Sequence, residues 1–456
     1  MQRMPRGRMI TALPRRDVLI AGGGPAGLSA ALALARSGAA VTLVERDILP
    51  VGLDPDEAVA AERTGIAHYH APHAFLPRGA KVMRERLPDI YATLLEHGAY
   101  ELRLARDQPD ERPEDADLIL LCVRRPLIEW ALREAVFREP GIELVDARID
   151  GLVIERGRVA GLSTSAGDVH APVTVDAMGR TSRSPRWLAE AGIDVPEESH
   201  DVGLVLYCRY HRLRQGRDFP ASPHAFGPRG DLGYAQYATF PGDNGTFGCT
   251  LYFPAADTEL KAAKGADQLH ACFRSLPELS EWVAGEASVP ITGVIPMGAL
   301  RTVWRAWDAA APTGFVAVAD SFCHTDPSFA LGLSLGLVHG FALADGGVDV
   351  PAFWDTVVPE LRERFEYARD IAAVRLARLS GEDPPALEAA QRFATLNAYA
   401  RLDPDIFRAA FRRIGFLEGV GPLDPGLQER IESLPAPAQP AVTLSRDELL
   451  AALSSA

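Results

Sequence analysis

Residues 17–46 read DVLIAGGGPAGLSAALALARSGAAVTLVER. The apolar run before Gly22 predicts a buried strand, and the alanine- and leucine-rich segment 26–37 predicts a helix that ends at Gly38. The apolar residues 41–45 predict a second strand. The stretch therefore predicts a strand, a helix and a strand in succession, which is the unit from which parallel sheets are built.

Three glycines stand at the turn between the first strand and the helix, in the pattern Gly22-x-Gly24-x-x-Gly27. Gly22 permits a tight turn, Gly24 lets a diphosphate approach the backbone, and Gly27 lets helix and strand pack closely. Glu45 follows Gly22 by 23 residues and has the carboxylate that binds ribose hydroxyls. The pattern predicts a dinucleotide site but does not choose between NAD and FAD. The remaining predicted contacts at the helix start are Pro25 and Ala26.

Composition narrows the classes of partner. The chain has 456 residues and a net charge of −14, from 47 Lys and Arg against 61 Asp and Glu. An acidic chain of this kind disfavours nucleic acid as a partner. The five cysteines are widely spaced without a zinc pattern, which favours reduced thiols, a cytoplasmic location and no bound metal.

The first sixteen residues are basic and superficially imitate a secretory leader. Glycines and Pro25 interrupt the apolar stretch that follows, so we interpret it as a buried strand. No window reaches the roughly 18 apolar residues of a membrane span. Met1, Met4 and Met9 leave the true start open.

Four segments occur in a recognisable order: the stretch above, RRPLIEWALREAV at 124–136, VTVDAMGRTSRSPRWL at 173–188 and VAVADSFCHTDPSFALGLSLG at 316–336. As a set they resemble the single-component flavoprotein monooxygenases of the para-hydroxybenzoate hydroxylase fold. Within that fold the set is most similar to the bacterial branch of polyether and squalene-type epoxidases.

The resemblance implies an α/β fold with a Rossmann-like FAD-binding domain, an inserted, mainly antiparallel substrate sheet and a carboxyl-terminal helical lobe. We assign residues 14–200 and 290–350 to the FAD domain, 201–289 to the substrate domain and 351–456 to the helical lobe. Aromatic and β-branched runs in the second region independently predict a sheet.

The resemblance also implies the FAD contacts. The glycine turn and Glu45 would hold the ADP half of FAD, and Asp320 would bind a ribityl hydroxyl. The first turn of the helix after Pro327 would face the flavin pyrimidine, where negative charge gathers on reduction. The other predicted cofactor contacts are Arg46, Arg125, Gly179, Leu331, Gly332 and Leu333.

Three residues depart from the family pattern. Ala319 and Ala330 replace glycines, which is tolerable where the backbone φ is negative. Met178 stands where hydroxylases usually have an acid, and Asp176 lies two places earlier. Because that segment is linked to both FAD and transient NAD(P)H binding, the missing acid weakens the nicotinamide inference more.

The predicted reaction is the hydroxylation or epoxidation of an apolar or aromatic small molecule of secondary-metabolite type. FAD would react through a C4a-(hydro)peroxyflavin with O2, and NAD(P)H would be the transient reductant. His324, Asp326 and Pro327 are the residues expected nearest the flavin edge, where the two ionisable side chains either assist proton transfer or only cap the loop. A homodimer or a separate flavin reductase stays open.

Two sets of side chains are candidates for the substrate pocket. The histidines of HYHAPH at 68–73 favour ring packing over metal binding, because no acid completes a ligand set; His70 is the predicted substrate contact. The aromatic residues of the predicted sheet supply the rest, although core packing explains most such stripes. The aromatic candidates are Tyr207, Tyr234 and Tyr237.

Two alternative functions stay open. A flavin-dependent halogenase shares the FAD motifs and adds a W-x-W-x-I-P signature and a lysine; here Trp304 and Trp307 have the wrong spacing, and Lys81 is the lysine to consider. A non-catalytic or reductase-dependent FAD-binding protein is the other, motivated by the three departures from the family pattern.

Overall fold

The computed structural model describes residues 17–48, 50–63, 65–66, 68–222, 224, 226–437 and 443–456. The question of the start methionine, the first three residues of the expected FAD domain (14–16) and part of the proline-rich segment near 438–442 lie outside the described residues. No described helix combines the length and apolarity needed to cross a bilayer.

The strands of the described residues are, in chain order, β1 (Val18–Ala21), β2 (Val41–Glu45), β3 (Tyr100–Arg103), β4 (Ile119–Cys122), β5 (Ile142–Asp146), β6 (Ile149–Glu155), β7 (Arg158–Thr164), β8 (Gly167–His170), β9 (Val173–Asp176), β10 (Glu197–Asp201), β11 (Leu204–Leu213), β12 (Arg229–Asp231), β13 (Gln236–Pro241), β14 (Thr246–Pro254), β15 (Ser288–Pro290), β16 (Ile295–Met297), β17 (Arg301–Arg305), β18 (Phe315–Ala317) and β19 (Cys323–His324).

The α-helices of the same residues are α1 (Pro25–Arg36), α2 (Pro55–Ala60), α3 (Pro77–Arg86), α4 (Pro88–Glu96), α5 (Arg125–Arg138), α6 (Ser184–Glu190), α7 (Ala266–Ser275), α8 (Pro277–Ser280), α9 (Trp307–Ala310), α10 (Leu331–Asp345), α11 (Val350–Leu379), α12 (Glu388–Tyr399), α13 (Pro404–Ile414), α14 (Pro425–Ser433) and α15 (Arg446–Ser454).

A five-stranded parallel sheet organises the first domain, in the order β18-β9-β1-β2-β5. All four residues of β1 are buried, because Val18 and Ile20 pack with the helices of the main core and Leu19 and Ala21 pack against the antiparallel strands β7 and β8. The strand β18 joins this sheet after the intervening chain has formed the antiparallel sheet described below, so the first sheet is built from separate segments of the chain. The predicted Rossmann-like α/β fold class is confirmed.

Helix α10 packs directly on α1 through two glycines. A Cβ added at Gly336 would lie 2.9 Å from Cα of Ala26, and one added at Gly340 would lie 2.9 Å from Cα of Ala30. Only hydrogen at these positions allows the two backbones to approach so closely. The contact brings the start of α10 to the same end of the domain as the glycine turn before α1.

The second domain is a mainly antiparallel sheet in the order β12-β13-β14-β11-β15, with β16 also paired to β11. Since β16 spans Ile295–Met297, this sheet extends past the expected boundary at residue 289. The sequence pattern does not predict this strand, because it is only three residues long and contains Pro296, which cannot donate to a ladder.

The helices after residue 350 do not all belong to one lobe. Helices α11 to α14 form most of the lobe expected after residue 350. Helix α15 instead packs into the core of the second domain, where Leu449 is fully buried and Leu453 is 6% exposed. The expected single lobe at 351–456 therefore does not include its last helix, whose apolar residues complete another core.

Candidate functional site

The glycine turn between β1 and α1 has the geometry that a phosphate site requires. Gly22 has φ +104°, and a Cβ there would lie 2.8 Å from the carbonyl oxygen of Ala177. A Cβ on Gly27 would lie 1.8 Å from the carbonyl oxygen of Gly22, whereas one on Gly24 would meet no atom within 4 Å. The open space at Gly24 fits the diphosphate that the sequence predicts there.

The start of α1 supplies donors to that space. Among the described residues, no side chain caps the start of α1, and Pro25 occupies the first turn, so the amide groups that follow can donate to a ligand. An uncapped helix start beside an open glycine is a favourable environment for a diphosphate. The residues present therefore fit the FAD diphosphate.

Glu45 occupies the predicted position at the end of β2. Its Oε2 accepts a 2.6 Å hydrogen bond from the amide of Gly23, and its Oε1 accepts one of 2.8 Å from Asp47. Nη2 of Arg63 lies 3.3 Å from Oε2. The neighbouring Arg46, which the resemblance places beside the adenosine, also lines the cavity. Sequence reasoning missed Arg63, which lies in an irregular segment with no motif.

Arg125 and Arg63 share one buried carboxylate. Nε of Arg125 donates to Oε1 of Glu129 over 2.6 Å, and Nη1 of Arg63 donates to Oε2 over the same distance. Burial raises the pKa of Glu129, but the two guanidinium groups outweigh it and hold the pKa below its usual range. Arg125 is thus a fixed, buried cation on the cavity wall and not part of a surface ion pair.

The turn after β9 is organised by Asp176. Its Oδ1 accepts a 3.0 Å hydrogen bond from the amide of Met178, and its Oδ2 accepts one of 2.5 Å from the Ser182 hydroxyl. Gly179 has φ +74°, and its amide donates to Oγ of Ser321 over 2.7 Å. Asp176 therefore orders the turn after β9, although position 178 holds a methionine in place of an acid.

The third turn carries Asp320, between β18 and α10. A Cβ added to Gly332 would lie 3.0 Å from Oδ1 of Asp320, so the carboxylate lies at the first turn of α10. Burial raises the pKa of Asp320, and Arg125, Arg180 and Arg305 oppose that rise. The predicted contacts Leu331, Gly332 and Leu333 line the same cavity.

The two alanine departures lie in the left-handed region. Ala319 has φ +48° and Ala330 has φ +52°. The condition under which these alanines would be tolerable, a negative φ, is therefore not met, because both turns require the conformation that glycine adopts at little cost. The amide of Ala319 donates to Nδ1 of His339 over 3.0 Å, which fixes that turn.

The three turns line one cavity of about 590 Å³. One face of the antiparallel sheet closes it on the opposite side, where Leu206 of β11 pairs directly with Tyr252 of β14 and with Met297 of β16. Phe240 and Leu300 add to this apolar face. The arrangement places the three turns and an apolar wall around a shared space.

The three predicted tyrosines lie elsewhere. The hydroxyl of Tyr207 donates to the Lys261 carbonyl over 3.5 Å, that of Tyr234 donates to the Ser445 carbonyl over 2.9 Å, and Tyr237 is 4% exposed in the second-domain core. None of them lines the cavity. Successive strand residues face opposite sides of a sheet, so Tyr207 of β11 and Tyr237 of β13 point away from the face that holds Leu206 and Tyr252, whereas Tyr234 precedes β13.

The histidines of 68–73 are also redistributed. His68 and His73 line the cavity, whereas the predicted contact His70 does not; its Nε2 lies 3.8 Å from Glu62. Burial first, and then the charge of Arg125, lower the pKa of His68 to about 2 and that of His73 to about 4. Both rings are therefore neutral at pH 7. Among the described residues, no group of His, Cys, Asp and Glu side chains could hold a metal ion.

The residues predicted at the flavin edge all line the cavity. Burial, followed by Arg305, lowers the pKa of His324 to about 4, and its Nδ1 has no hydrogen-bond partner among the described residues. Asp326 is fully buried; its carboxylate caps the turn that starts at Pro327 and pairs with Arg375. His324 is thus available for hydrogen bonding, whereas Asp326 is fully engaged.

These features agree with the comparison to known families. Residues 17–195 match the FAD dependent oxidoreductase family. The match supports the predicted FAD cofactor and covers β1, α1 and the Asp176 turn. The probable electron transfer flavoprotein-quinone oxidoreductase YdiS of Escherichia coli K12 is 32% identical over 181 residues, which are 38% of this chain. The chain spans only 38% of that relative's length.

Solved structures share the fold over most of the chain. One is pqsL of Pseudomonas aeruginosa, described as a probable FAD-dependent monooxygenase; it is 17% identical, with a TM-score of 0.58 over 81% of this chain and 99% of that one. Another is the flavin-dependent brominase Bmp2, 16% identical, with a TM-score of 0.56 over 92% of each chain. At these identities the likeness establishes the fold.

Proposed function

We propose that this protein is an FAD-dependent monooxygenase that inserts oxygen from O2 into an apolar or aromatic small molecule, with NAD(P)H as the reductant. The observation that carries the proposal is the shared cavity, in which the three FAD-binding turns face the apolar wall of Leu206, Tyr252 and Met297. An apolar wall beside the turns suits a small apolar substrate, because ligand pockets are lined mainly by hydrophobic and aromatic side chains. The relatives of known fold include a probable monooxygenase.

The chain's own residues would bind the cofactor and exclude water from it. Gly22, Gly24 and the start of α1 would hold the diphosphate, Glu45 the ribose, and Asp320 the ribityl chain. Bound FAD supplies the electron transfer and the oxygen chemistry. The apolar sheet face would keep water from the reacting centre and orient the substrate by its shape.

His324 is the side chain proposed to handle a proton. It is neutral at pH 7, lines the cavity and has an unpartnered Nδ1. A neutral imidazole can accept or donate one hydrogen bond at each nitrogen, so it can orient a hydroxyl of substrate or product. Asp326 is not proposed as an acid or base, because its carboxylate is buried and paired with Arg375.

Halogenation is less well supported. Nζ of Lys81 lies 2.6 Å from Oδ2 of Asp117, and this lysine does not line the cavity. Trp304 and Trp307 are buried in the main core, where Nε1 of Trp307 donates to the Ser321 carbonyl. A lysine that handles hypohalite must reach the cavity, so the likeness to the brominase supports the fold without supporting that chemistry.

The purified flavoprotein tests the proposal directly. When the protein is mixed with NADH or NADPH in the absence of O2, the flavin absorbance should bleach. When 18O2 and an apolar aromatic substrate are then added, the product should carry the label. An added flavin reductase separates direct reduction from dependence on a partner. If no labelled product forms with NADH, NADPH or the added reductase, the protein binds FAD without acting as a monooxygenase. A brominated product that requires bromide would instead indicate a halogenase.

A matched pair of variants tests the apolar wall. Leu206→Gln should weaken binding of 1-naphthol, measured by perturbation of the flavin spectrum, because it places an amide on the cavity face. Val205→Gln changes the adjacent residue, whose side chain packs against the second-domain core on the other face of β11. Equal effects of the two substitutions on 1-naphthol binding would contradict the assignment of this wall to the substrate.

A further inference from the structure

The loop at residues 325–330 joins β19 to α10 and leads directly into the turn proposed to hold the flavin. Asp326, Pro327 and Ala330 of this loop line the cavity. Ala330 has φ +52° and precedes the first residue of α10, so the backbone conformation of the loop sets the direction in which that helix begins. A left-handed alanine persists only where its surroundings impose it.

Contacts within the FAD domain hold one side of the loop. The amide of Asp326 donates a 3.2 Å hydrogen bond to Oγ1 of Thr302 on β17, and its Oδ1 accepts one of 2.9 Å from the amide of Ser328. These bonds leave Oδ2 of a fully buried carboxylate to be neutralised. A charge in that position is costly unless a cation pairs with it.

The cation comes from the helical lobe. Nη2 of Arg375, in the last third of α11, donates to Oδ2 of Asp326, and its Nη1 donates to Oγ of Ser328 over 2.8 Å. The Arg375 side chain is only 12% exposed. Leu376 and Leu379 of the same helix pack against the apolar cavity face of the sheet, which fixes the position of α11 at this point.

We propose that Arg375 is a positioning residue that holds the 325–330 loop, and through it the first turn of α10, in the conformation required by the flavin. The planar guanidinium binds two groups of the loop at once, which a point charge on a flexible stem does not reproduce. The helical lobe thereby participates in the FAD site without contacting it. This inference rests on the FAD site of the proposed function and is independent of the oxygenation reaction.

The test uses the full-length holoprotein with Arg375→Met, Arg375→Lys and the double variant Asp326→Asn with Arg375→Met. The readouts are the FAD dissociation constant by fluorescence titration and the flavin midpoint potential against reference dyes. We expect Arg375→Met to raise the dissociation constant about tenfold, as loss of a charged hydrogen bond does, and to make the potential more negative. Arg375→Lys should change the dissociation constant and the potential in the same directions as Arg375→Met, but by less.

The double variant separates positioning from folding. It removes both charges, so no unpaired carboxylate is buried, and the introduced asparagine side chain retains an oxygen for the Ser328 amide. We expect it to fold while its flavin potential stays shifted. The matched control is Arg378→Met, which breaks an ion pair to Asp231 one turn later on the same helix. Wild-type affinity and potential in the double variant, or equal shifts in the control, would overturn the proposal. A failure to turn over substrate does not affect either readout.

Discussion

Nη1 of Arg63 donates a 2.6 Å hydrogen bond to Oε2 of Glu129, and neither side chain is more than 4% exposed. The other oxygen of Glu129 accepts from Arg125, and Arg63 also lies against Glu45. One buried anion therefore connects Glu45, the acid proposed for the ribose, with Arg125, which the resemblance places at the phosphate or ribityl side of the cofactor. The two halves of the proposed FAD site share this anchor, so we expect a change at Glu129 to affect both.

Replacing Glu129 with Gln should lower the free energy of unfolding by about 3–5 kcal/mol, because two buried guanidinium groups lose their carboxylate. Urea denaturation of the FAD-free protein measures this loss. The matched control is Glu190→Gln, which removes an equivalent i,i+4 pair with Arg186 on the surface of α6 and should change stability by less than about 0.5 kcal/mol. Similar losses in the two variants would contradict the importance of the buried anchor.

Gly24 and Gly27 should fail in different ways when substituted. Gly24→Val adds a side chain where a Cβ meets nothing within 4 Å, at an extended φ of −79°, so the FAD-free protein should keep its stability. The side chain would fill the space proposed for the diphosphate, so FAD binding should be lost. Gly27→Ala should instead destabilise the fold itself, since its Cβ would lie 1.8 Å from the Gly22 carbonyl.

Thermal unfolding with and without added FAD distinguishes these outcomes. A ligand that binds only the native state raises the unfolding temperature, so the wild type should show an FAD-dependent shift that Gly24→Val lacks. Normal FAD uptake by Gly24→Val would refute the placement of the diphosphate at this turn.

The sequence was sufficient for the parts of the site that lie in contiguous motifs. The strand, glycine turn and helix at 17–46, and Asp320 before α10, are each specified by residues close together in the chain. Backbone requirements at a turn leave a local signature, because few residues satisfy them. The parallel sheet follows from the same local units.

The residues that were missed are held by long-range contacts. Arg63 meets Glu129 across 66 positions, and Arg375 meets Asp326 across 49, with no pattern in either segment that marks the partner. The wrong assignment of the tyrosines has a different cause. All nine residues of β14 are buried, so no alternation of polar and apolar residues shows which face of the sheet borders the cavity.

Ala330→Gly should raise the free energy of unfolding by about 0.5–1 kcal/mol, because relief of the left-handed strain exceeds the extra chain entropy of glycine. The control is Ala342→Gly in the interior of α10, the helix that follows Ala330, where glycine should lower the free energy of unfolding by about 1 kcal/mol. Chemical denaturation measures both. Destabilisation of the same sign and size at the two positions would show that Ala330 is not strained.

His339 should make the protein acid-sensitive. Its ring is buried, its Nδ1 accepts from the Ala319 amide, and burial, followed by the charge of Arg78, lowers its pKa to about 3. In the unfolded chain the histidine takes up a proton near pH 6.5, whereas the folded chain does not, so stability falls as pH decreases below about 6.5. This contribution is fully present above that pH and is lost progressively toward the folded-state pKa.

Between pH 7 and pH 5, one such histidine should lower the free energy of unfolding by about 2 kcal/mol, since each unit of pKa difference is worth about 1.4 kcal/mol. His339→Gln removes this titrating group, so the free energy of unfolding of the variant should fall by about 2 kcal/mol less than that of the wild type between pH 7 and pH 5. Above pH 7 the two free energies should vary in parallel. Urea denaturation at half-unit pH steps measures the difference. Curves that stay parallel down to pH 5 would mean that the imidazole takes up its proton in the folded protein as well, and the Ala319 amide would then need an acceptor other than Nδ1 of His339.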